Sequence, residues 1–187
     1  RYAINNSSPK FSILYRQGID GLLDSDVDYS FLEAGYRHTF KIGIRGIVDI
    51  SAKMGTFLSN DQLFFMDYKH FLGNQTPFST ADPVGSFRLL DYYRFSTTND
   101  YFTSSLHYQF RKFLITQLPL VRLSGVRESF FANYLSTDLS NNYTELGYGI
   151  NYIFRVFRVE AVTSFEDGKY KDFGVRLGIA VNLDDVF

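Results

Sequence analysis

Alternation of apolar and polar side chains with a period of two is the feature that most limits how this chain can fold. Successive side chains of a β-strand point to opposite faces, so such a pattern predicts strands with one apolar face. The clearest run occupies every second position near the end of the chain: Phe173, Val175, Leu177, Ile179, Val181 and Leu183. Similar runs predict eight strands, at about 10–16, 29–41, 46–57, 101–110, 127–135, 143–153, 156–165 and 173–183.

The length and chemistry of these predicted strands favour a membrane barrel. Most are about ten residues long, which matches the ~9–11 residues of a tilted membrane-spanning strand better than the ~5–6 of an ordinary strand. The less apolar face repeatedly carries Arg, Glu, Lys and Gly, as a polar interior would require, and aromatic rings lie near strand ends. We therefore predict an all-β fold, an antiparallel transmembrane β-barrel.

Composition narrows the possible functions. The 187 residues carry a formal net charge of −1, which removes the basic excess that binding to a nucleic-acid backbone requires. No Cys is present, so the chain has no disulfide framework and no thiolate nucleophile. No apolar run approaches the ~18 residues of a membrane-spanning helix. A soluble β-sandwich that binds an apolar ligand also alternates, and it stays open as an alternative.

The connections between predicted strands differ in length on the two sides of the sheet. If the last strand runs towards the periplasm, the connections near 42–45, 111–126 and 154–155 are periplasmic, and 17–28, 58–100, 136–142 and 166–172 are external. Two of the three periplasmic connections are short and the longest connection is external, as in outer-membrane barrels. The segment 111–126 is apolar with flanking Lys and Arg, which indicates either a membrane-surface segment or a contact for a periplasmic partner.

Short motifs carry a family resemblance along almost the whole chain. They are Pro9-Lys10-Phe11-Ser12, the run 18–29, Leu72-Gly73-Asn74-Gln75, Asp91-Tyr92-Tyr93-Arg94-Phe95, Asp100-Tyr101, Gln117-Leu118-Pro119-Leu120, Arg127-Glu128, Tyr143-Thr144-Glu145, Gly149-Ile150-Asn151-Tyr152-Ile153 and Phe157-Arg158-Val159. These motifs resemble the DUF5686 family, outer-membrane proteins of Bacteroidetes-type bacteria. The resemblance implies that the chain is a fragment, the C-terminal eight strands of a barrel of about sixteen.

The strand arrangement is more distantly similar to the last eight strands of the Omp85 superfamily, whose members insert or export polypeptides. In that superfamily a long loop folds back into the barrel and carries an Arg-Gly-aromatic tip. The corresponding loop here is 58–100, which is rich in Phe and Tyr and therefore too apolar to extend into water. Its tip has Gly73-Asn74-Gln75 without an Arg-Gly pair. The expected luminal loop residues are Phe71, Gly73, Asn74, Tyr92 and Tyr93.

Charged residues on the less apolar face predict a network inside the barrel, because a single charge in a narrow lumen is costly unless it is paired. This predicted network comprises Glu33, Arg37, Lys41, Glu145, Arg155, Arg158, Glu160 and Arg176. We expect the network to hold loop 58–100 inside the lumen. The competing interpretation is a conducting lumen whose charges select solutes.

Few residues indicate a metal site or catalysis. Asp24, Asp26 and Asp28 alternate in an external connection and form a candidate Ca²⁺ site, although the spacing lacks the Gly and Glu of an EF-hand. A solvated acidic turn explains the same residues. The three His residues lie on different elements without ligand spacing, and no Gly-x-Ser-x-Gly motif occurs. We predict no enzymatic activity and no cofactor beyond this candidate calcium ion.

The resulting functional hypothesis is a non-enzymatic barrel of the bacterial outer membrane, acting as a scaffold or as a transport or assembly factor with loop 58–100 closing its lumen. The expected partners are outer-membrane lipid and lipopolysaccharide, and other outer-membrane or periplasmic proteins, but not nucleic acid. An Omp85-like insertion barrel, a self-contained eight-stranded barrel and the soluble sandwich are the alternatives.

Overall fold

A single β-sheet accounts for the strands of this protein. The computed structural model describes residues 8–21, 25–42, 46–73, 78–79, 84–110, 112–118, 121, 124–140 and 142–179. The strands are β1 Lys10–Gly18, β2 Asp28–Ile42, β3 Gly46–Gln62, β4 Phe78–Ser79, β5 Tyr101–Phe110, β6 Arg127–Thr137, β7 Tyr143–Ile153, β8 Phe157–Glu166 and β9 Lys169–Ile179. Two short 3-10 turns, Phe65–Asp67 and Ile115–Gln117, interrupt the connections.

The strand order is β1-β2-β3-β5-β6-β7-β8-β9-β4. The first eight strands of that order form an antiparallel meander, and β4 adds to the outer edge of β9 in a two-residue parallel pairing. This confirms the predicted all-β antiparallel fold and its eight long strands. In the part of the chain that the structure describes, β1 and β9 do not pair, so closure into a barrel stays a prediction. No helix among these residues is long and apolar enough to cross a membrane.

Two strand boundaries within the described residues differ from the sequence prediction by four residues or more, each for a local reason. Strand β3 continues to Gln62 because a bulge lets it stay paired with the start of β2. Strand β9 begins at Lys169 because Asp167 and Gly168, with φ of 50° and 74°, form a tight turn directly after β8. At the other end, Val181 and Leu183 lie outside the described residues.

The two faces of the sheet differ sharply. The inner face is the one that the connection from β3 to β5 covers, and we call this connection loop 63–100. On β8 the inner face carries buried Arg158, Glu160, Val162 and Ser164. The outward face carries exposed apolar residues, as on β9, where Phe173, Val175, Leu177 and Ile179 are all about half exposed. The sheet therefore buries its charged side chains under loop 63–100, together with aromatic ones, and exposes apolar side chains over most of its outward face.

Loop 63–100 packs on the inner face through an aromatic core. Its buried residues Phe71, Phe87, Leu90 and Phe95 form one cluster with residues of the long strands, which we together call the wall. The wall contributes Tyr29, Phe31, Tyr101, Leu135 and Tyr143. We call residues 63–73 the first arm of the loop and residues 84–100 its second arm. Phe71 packs on Tyr101 and Phe95 packs on Tyr143, so both arms are held against the sheet. The prediction that the loop packs rather than extends into water agrees with this arrangement.

Candidate functional site

Loop 63–100 and the inner face meet at a buried cluster of charges. Arg88, in the second arm of the loop, is only 3% exposed. Its Nε donates to Glu160 on β8, at 3.3 Å. Glu160 forms a second ion pair with Arg158, in which Oε1 of Glu160 lies 3.2 Å from Nε of Arg158. Arg176 on β9 donates to the backbone carbonyl of Arg88. Three guanidinium groups and two carboxylates, counting Glu145, therefore lie within one buried region.

Glu145 fixes the backbone of the loop rather than a side chain. This residue of β7 is fully buried, and its carboxylate accepts the backbone N–H of Arg88 at 2.7 Å and that of Leu89 at 2.8 Å. The hydroxyl of Tyr143 donates to the same carboxylate at 2.8 Å. These donors satisfy the buried carboxylate, and the carboxylate in turn satisfies backbone groups that a loop would otherwise leave unpaired.

The side chain of Arg88 packs on the aromatic ring of Phe131, a residue of β6. The guanidinium carbon of Arg88 lies 4.5 Å from the ring centre of Phe131 on β6, a cation–π contact. The ring itself lies over Gly147 on β7, where an added Cβ would come within 2.0 Å of it. Gly147 therefore leaves the space in which Phe131 lies along the wall. Ser86 adds a further contact, because its carbonyl accepts from the amide of Asn133 at 3.1 Å.

Further contacts hold the two arms of the loop at other places. Lys69 in the first arm pairs with Glu33 on β2, and the hydroxyl of Tyr101 donates to the same carboxylate. Near the second arm, Arg94 pairs with Glu166 on β8 at 3.0 Å. Contacts to the wall thus reach from β2 to β9, which is the width of the eight-stranded meander apart from β1.

The structure separates the predicted network into two groups. Five of its residues lie at the loop contact on the inner face: Glu33, Glu145, Arg158, Glu160 and Arg176. Three do not: Arg37 is an exposed residue of β2 near Asp49, Lys41 is exposed near the end of β2, and Arg155 is exposed in the turn between β7 and β8. Arg88 lies at the centre of the cluster, although no motif or alternation marks it in the sequence.

The predicted luminal loop residues also fall into different environments. Phe71 and Gly73 are buried, and Gly73 approaches the carbonyl oxygen of Leu90 so closely that an added Cβ would lie 2.4 Å from it. This close approach is where the two arms of the loop touch. Tyr92 and Tyr93 are more than half exposed, and the ring of Tyr93 packs on Phe65 and His70 within the loop. Asn74 lies outside the described residues.

The candidate calcium residues are only partly described. Asp26 is exposed between β1 and β2, Asp28 is exposed as the first residue of β2, and Asp24 lies outside the described residues. Among the residues that the structure does describe, no group of three or more His, Cys, Asp or Glu side chains is placed to hold a metal ion. The calcium hypothesis therefore stays a prediction.

Asp138 holds the end of loop 63–100 and gives a pH-dependent prediction. Thr97 Oγ1 donates to its carboxylate at 2.7 Å and the amide of Asn99 at 2.8 Å. Burial raises the pKa of Asp138, but these hydrogen bonds outweigh burial and bring the pKa below its ordinary value. The folded state therefore binds this proton more weakly than the unfolded state does. The resulting stability is present above the ordinary Asp pKa and is lost as the pH falls through the lowered value.

We expect Asp138→Asn to lower the free energy of unfolding by about 1 kcal/mol at pH 7, a small value because the Asp138 side chain is partly solvated. The difference between the two proteins should shrink towards zero at acidic pH. Urea unfolding of both proteins at several pH values in detergent measures it. A difference that stays constant from neutral to strongly acidic pH would contradict the assignment.

Comparison with known proteins identifies the family. The model of the family described as "Family of unknown function (DUF5686) C-terminal domain" matches residues 1–150. This range covers β1 to β6 and most of β7, and it includes loop 63–100 and Glu145. The curated proteins and the solved structures give no match. The chain therefore belongs to the DUF5686 family and carries its C-terminal domain.

Proposed function

We propose that this chain forms part of the wall of a β-barrel in the bacterial outer membrane, and that loop 63–100 closes the interior of that barrel. Its role would be non-enzymatic, as a scaffold or as a transport or assembly factor. The observation that carries the proposal is the contrast between the two faces of the sheet: ion pairs are buried under the loop, and apolar side chains are exposed on the opposite face.

The outward face is too apolar for contact with water. Exposed apolar residues occur on it in every long strand from β1 to β9 except β7, where the apolar residues are half-buried. Examples are Ile13 at 81%, Met54 at 57% and Phe173 at 56% exposure. Soluble monomers rarely expose contiguous apolar patches above a few hundred Å². Contact with lipid acyl chains exposes such a face at a lower free-energy cost than contact with water does. The long strands, of 9 to 17 residues, can also cross the ~30 Å hydrocarbon core at a tilt.

A soluble sandwich gains no support from this arrangement. A sandwich covers each sheet with a second one. Here all strands of the described residues belong to one sheet, and the outward face has no second layer among them. Outer-membrane lipid and lipopolysaccharide are therefore the first partners that we propose, with other outer-membrane or periplasmic proteins as further candidates.

Adjacent Phe residues on β6 allow a direct test of the two faces. Phe130 points outward and is partly exposed, whereas Phe131 is fully buried on the inner face. The chain has no Trp, so a single introduced Trp is the only indole reporter. In nanodiscs with brominated phosphatidylcholine, we expect quenching of the Phe130→Trp variant and little quenching of Phe131→Trp. Because Phe131→Trp disturbs the Arg88 contact, Phe71→Trp serves as a second inward reporter.

Equal quenching of outward and inward reporters, or no quenching of Phe130→Trp, would contradict the proposal. A chain that stays monodisperse after detergent removal, without lipid, would contradict it as well. Both measurements test whether the outward face contacts lipid.

Insertion of polypeptides in the manner of the Omp85 superfamily is a second candidate function. Two observations favour it. Loop 63–100 places an arginine, Arg88, against the inner face of the sheet. In the described part of the chain, the outer edge of β9 pairs only with the two-residue strand β4. Insertion of a client barrel into liposomes that contain this protein tests the idea, and a disulfide that ties β4 to β9 should abolish the activity.

A further inference from the structure

Residues 112–118, in the connection between β5 and β6, fold over the outward face of the sheet. Residues 112–118 lie at the end opposite to loop 63–100, because the antiparallel meander places connections alternately at its two ends. The ring of Phe113 stacks on Phe110 at 4.4 Å and 13°. Phe110 shares its face with Leu106 and Phe102, which are exposed outward. This segment therefore lies against the apolar face of the sheet and away from the interior.

A single carboxylate holds the segment in place. Glu128, the second residue of β6, pairs with Phe110 and Ile150 and so occupies an outward-facing position, yet it is fully buried. It accepts the backbone N–H groups of four successive residues: Phe113 at 3.2 Å, Leu114 at 3.0 Å, Ile115 at 2.9 Å and Thr116 at 3.2 Å. The hydroxyls of Thr116 and Tyr148 also donate to it.

This arrangement satisfies backbone donors without water. Four adjacent N–H groups that point at one carboxylate form a closed anion site, and the anion is part of the chain itself. Irregular backbone tolerates an environment poor in water only when its polar groups have partners within the protein. The segment therefore has the property that a connection lying at a bilayer surface requires.

Some side chains of this segment point away from the protein. Leu114 is 62% exposed and Leu118 is 58% exposed, and the cation Lys112 is exposed as well. The turn between β7 and β8 lies at the same end of the sheet, with Phe154 exposed to 85% and the cation Arg155 next to it. Exposed apolar side chains flanked by Lys and Arg match the boundary between acyl chains and phosphate groups.

We propose that residues 112–118 and the turn 154–156 form an interfacial anchor that inserts its apolar side chains among phospholipid headgroups, with Lys112 and Arg155 at the lipid phosphates. This inference rests on the proposed membrane location of the sheet and adds which end and which residues meet the lipid surface. A lipid surface fits better than a protein partner for two reasons. The anchor continues the apolar outward face, and both of its exposed cations suit phosphate groups.

Depth-dependent quenching of single Trp variants tests the anchor. Leu114→Trp reports on the anchor and Leu106→Trp on the middle of the outward face, in an otherwise Trp-free chain. In nanodiscs we expect stronger quenching of Leu114→Trp by phosphatidylcholine brominated close to the glycerol than by lipid brominated near the chain end. Leu106→Trp should show the opposite order. Phosphatidylglycerol should increase the quenching of Leu114→Trp, and Lys112→Gln with Arg155→Gln should remove that increase.

The outcomes separate the anchor from the proposed function. If Leu106→Trp is quenched and Leu114→Trp keeps the emission of a Trp in water, the anchor is wrong and the membrane location stands. If neither is quenched, the membrane location fails as well. Adding Glu128→Gln to Leu114→Trp should reduce the shallow quenching, because an amide accepts through one oxygen only; unchanged quenching would show that Glu128 does not position the anchor.

Discussion

Arg88→Met is expected to release the second arm of loop 63–100 from the inner face of the sheet. The substitution keeps an unbranched side chain of similar length but removes the charge that pairs with Glu160. Removing one partner of a buried ion pair typically costs ~3–5 kcal/mol. The cost here should be about 3 kcal/mol, at the lower end, because Arg158 still pairs with Glu160. Two measurements check this result: limited proteolysis within the loop and conductance in planar bilayers, both of which should increase.

Arg94 provides a matched control for Arg88. It is also an arginine of loop 63–100, and it pairs with Asp91 at 3.2 Å and with Glu166 at 3.0 Å. Its side chain is 35% exposed, so water screens these pairs, and their removal by Arg94→Met should cost under ~1 kcal/mol. Equal proteolysis and equal conductance for the two variants would mean that the buried cluster does not hold the loop closed.

Periodicity in the sequence predicted the strands because, in a half-buried strand, the polarity of each residue indicates the face of the sheet on which its side chain lies. The run from Phe173 onward is apolar at alternate positions, and the structure shows those positions outward as far as Ile179. The same rule missed the start of β9, because Tyr170 is out of phase with the apolar run from Phe173, across an irregularity in the pairing with β8. The Asp167-Gly168 dipeptide was the available signal there, since that pair favours a two-residue hairpin turn.

The charged wall was partly predictable and its partner was not. Alternation alone places Glu145 and Glu160 on the face opposite to the apolar residues, and both are buried under the loop. Arg88 belongs to a segment without periodicity, and its contacts reach residues 57 and 72 positions further along the chain. Such contacts depend on how the loop folds back, which no local pattern encodes. The number of rings in the loop indicated only that it must pack somewhere.

Glu128 shows how a departure from the pattern can mark a local structure. An ionisable residue in the outward-facing set contradicts the alternation of β6, and the structure resolves the conflict by covering it with the backbone of residues 113–116. Places where one rule is broken and another compensates are often functional. The exposed residues Arg37 and Lys41 show what alternation cannot predict. Alternation gives the face of the sheet on which a residue lies, but not the residues that it contacts.

Gly147→Ala is expected to displace the Phe131 ring on which Arg88 packs. The added methyl group would lie within 2.0 to 2.6 Å of three ring carbons of Phe131, so the ring must tilt away from the wall. Tilting moves the ring into the space of the Arg88 guanidinium, 4.5 Å above it. Overpacking of this kind costs about 1–3 kcal/mol. Unfolding in urea should show a loss in this range, and proteolysis of loop 63–100 should increase in parallel.

A double-mutant cycle separates overpacking from any intrinsic preference for glycine at this position. In a Phe131→Leu background the smaller side chain leaves room for the new methyl group, so adding Gly147→Ala should cost much less than it does in the native chain. Gly147 is not among the glycines with positive φ, so an alanine there meets no backbone strain of its own. If the cost of the alanine is the same in both backgrounds, the contact with the Phe131 ring is not its cause. A reduced cost together with unchanged loop proteolysis would show instead that the ring packs on Gly147 without supporting Arg88.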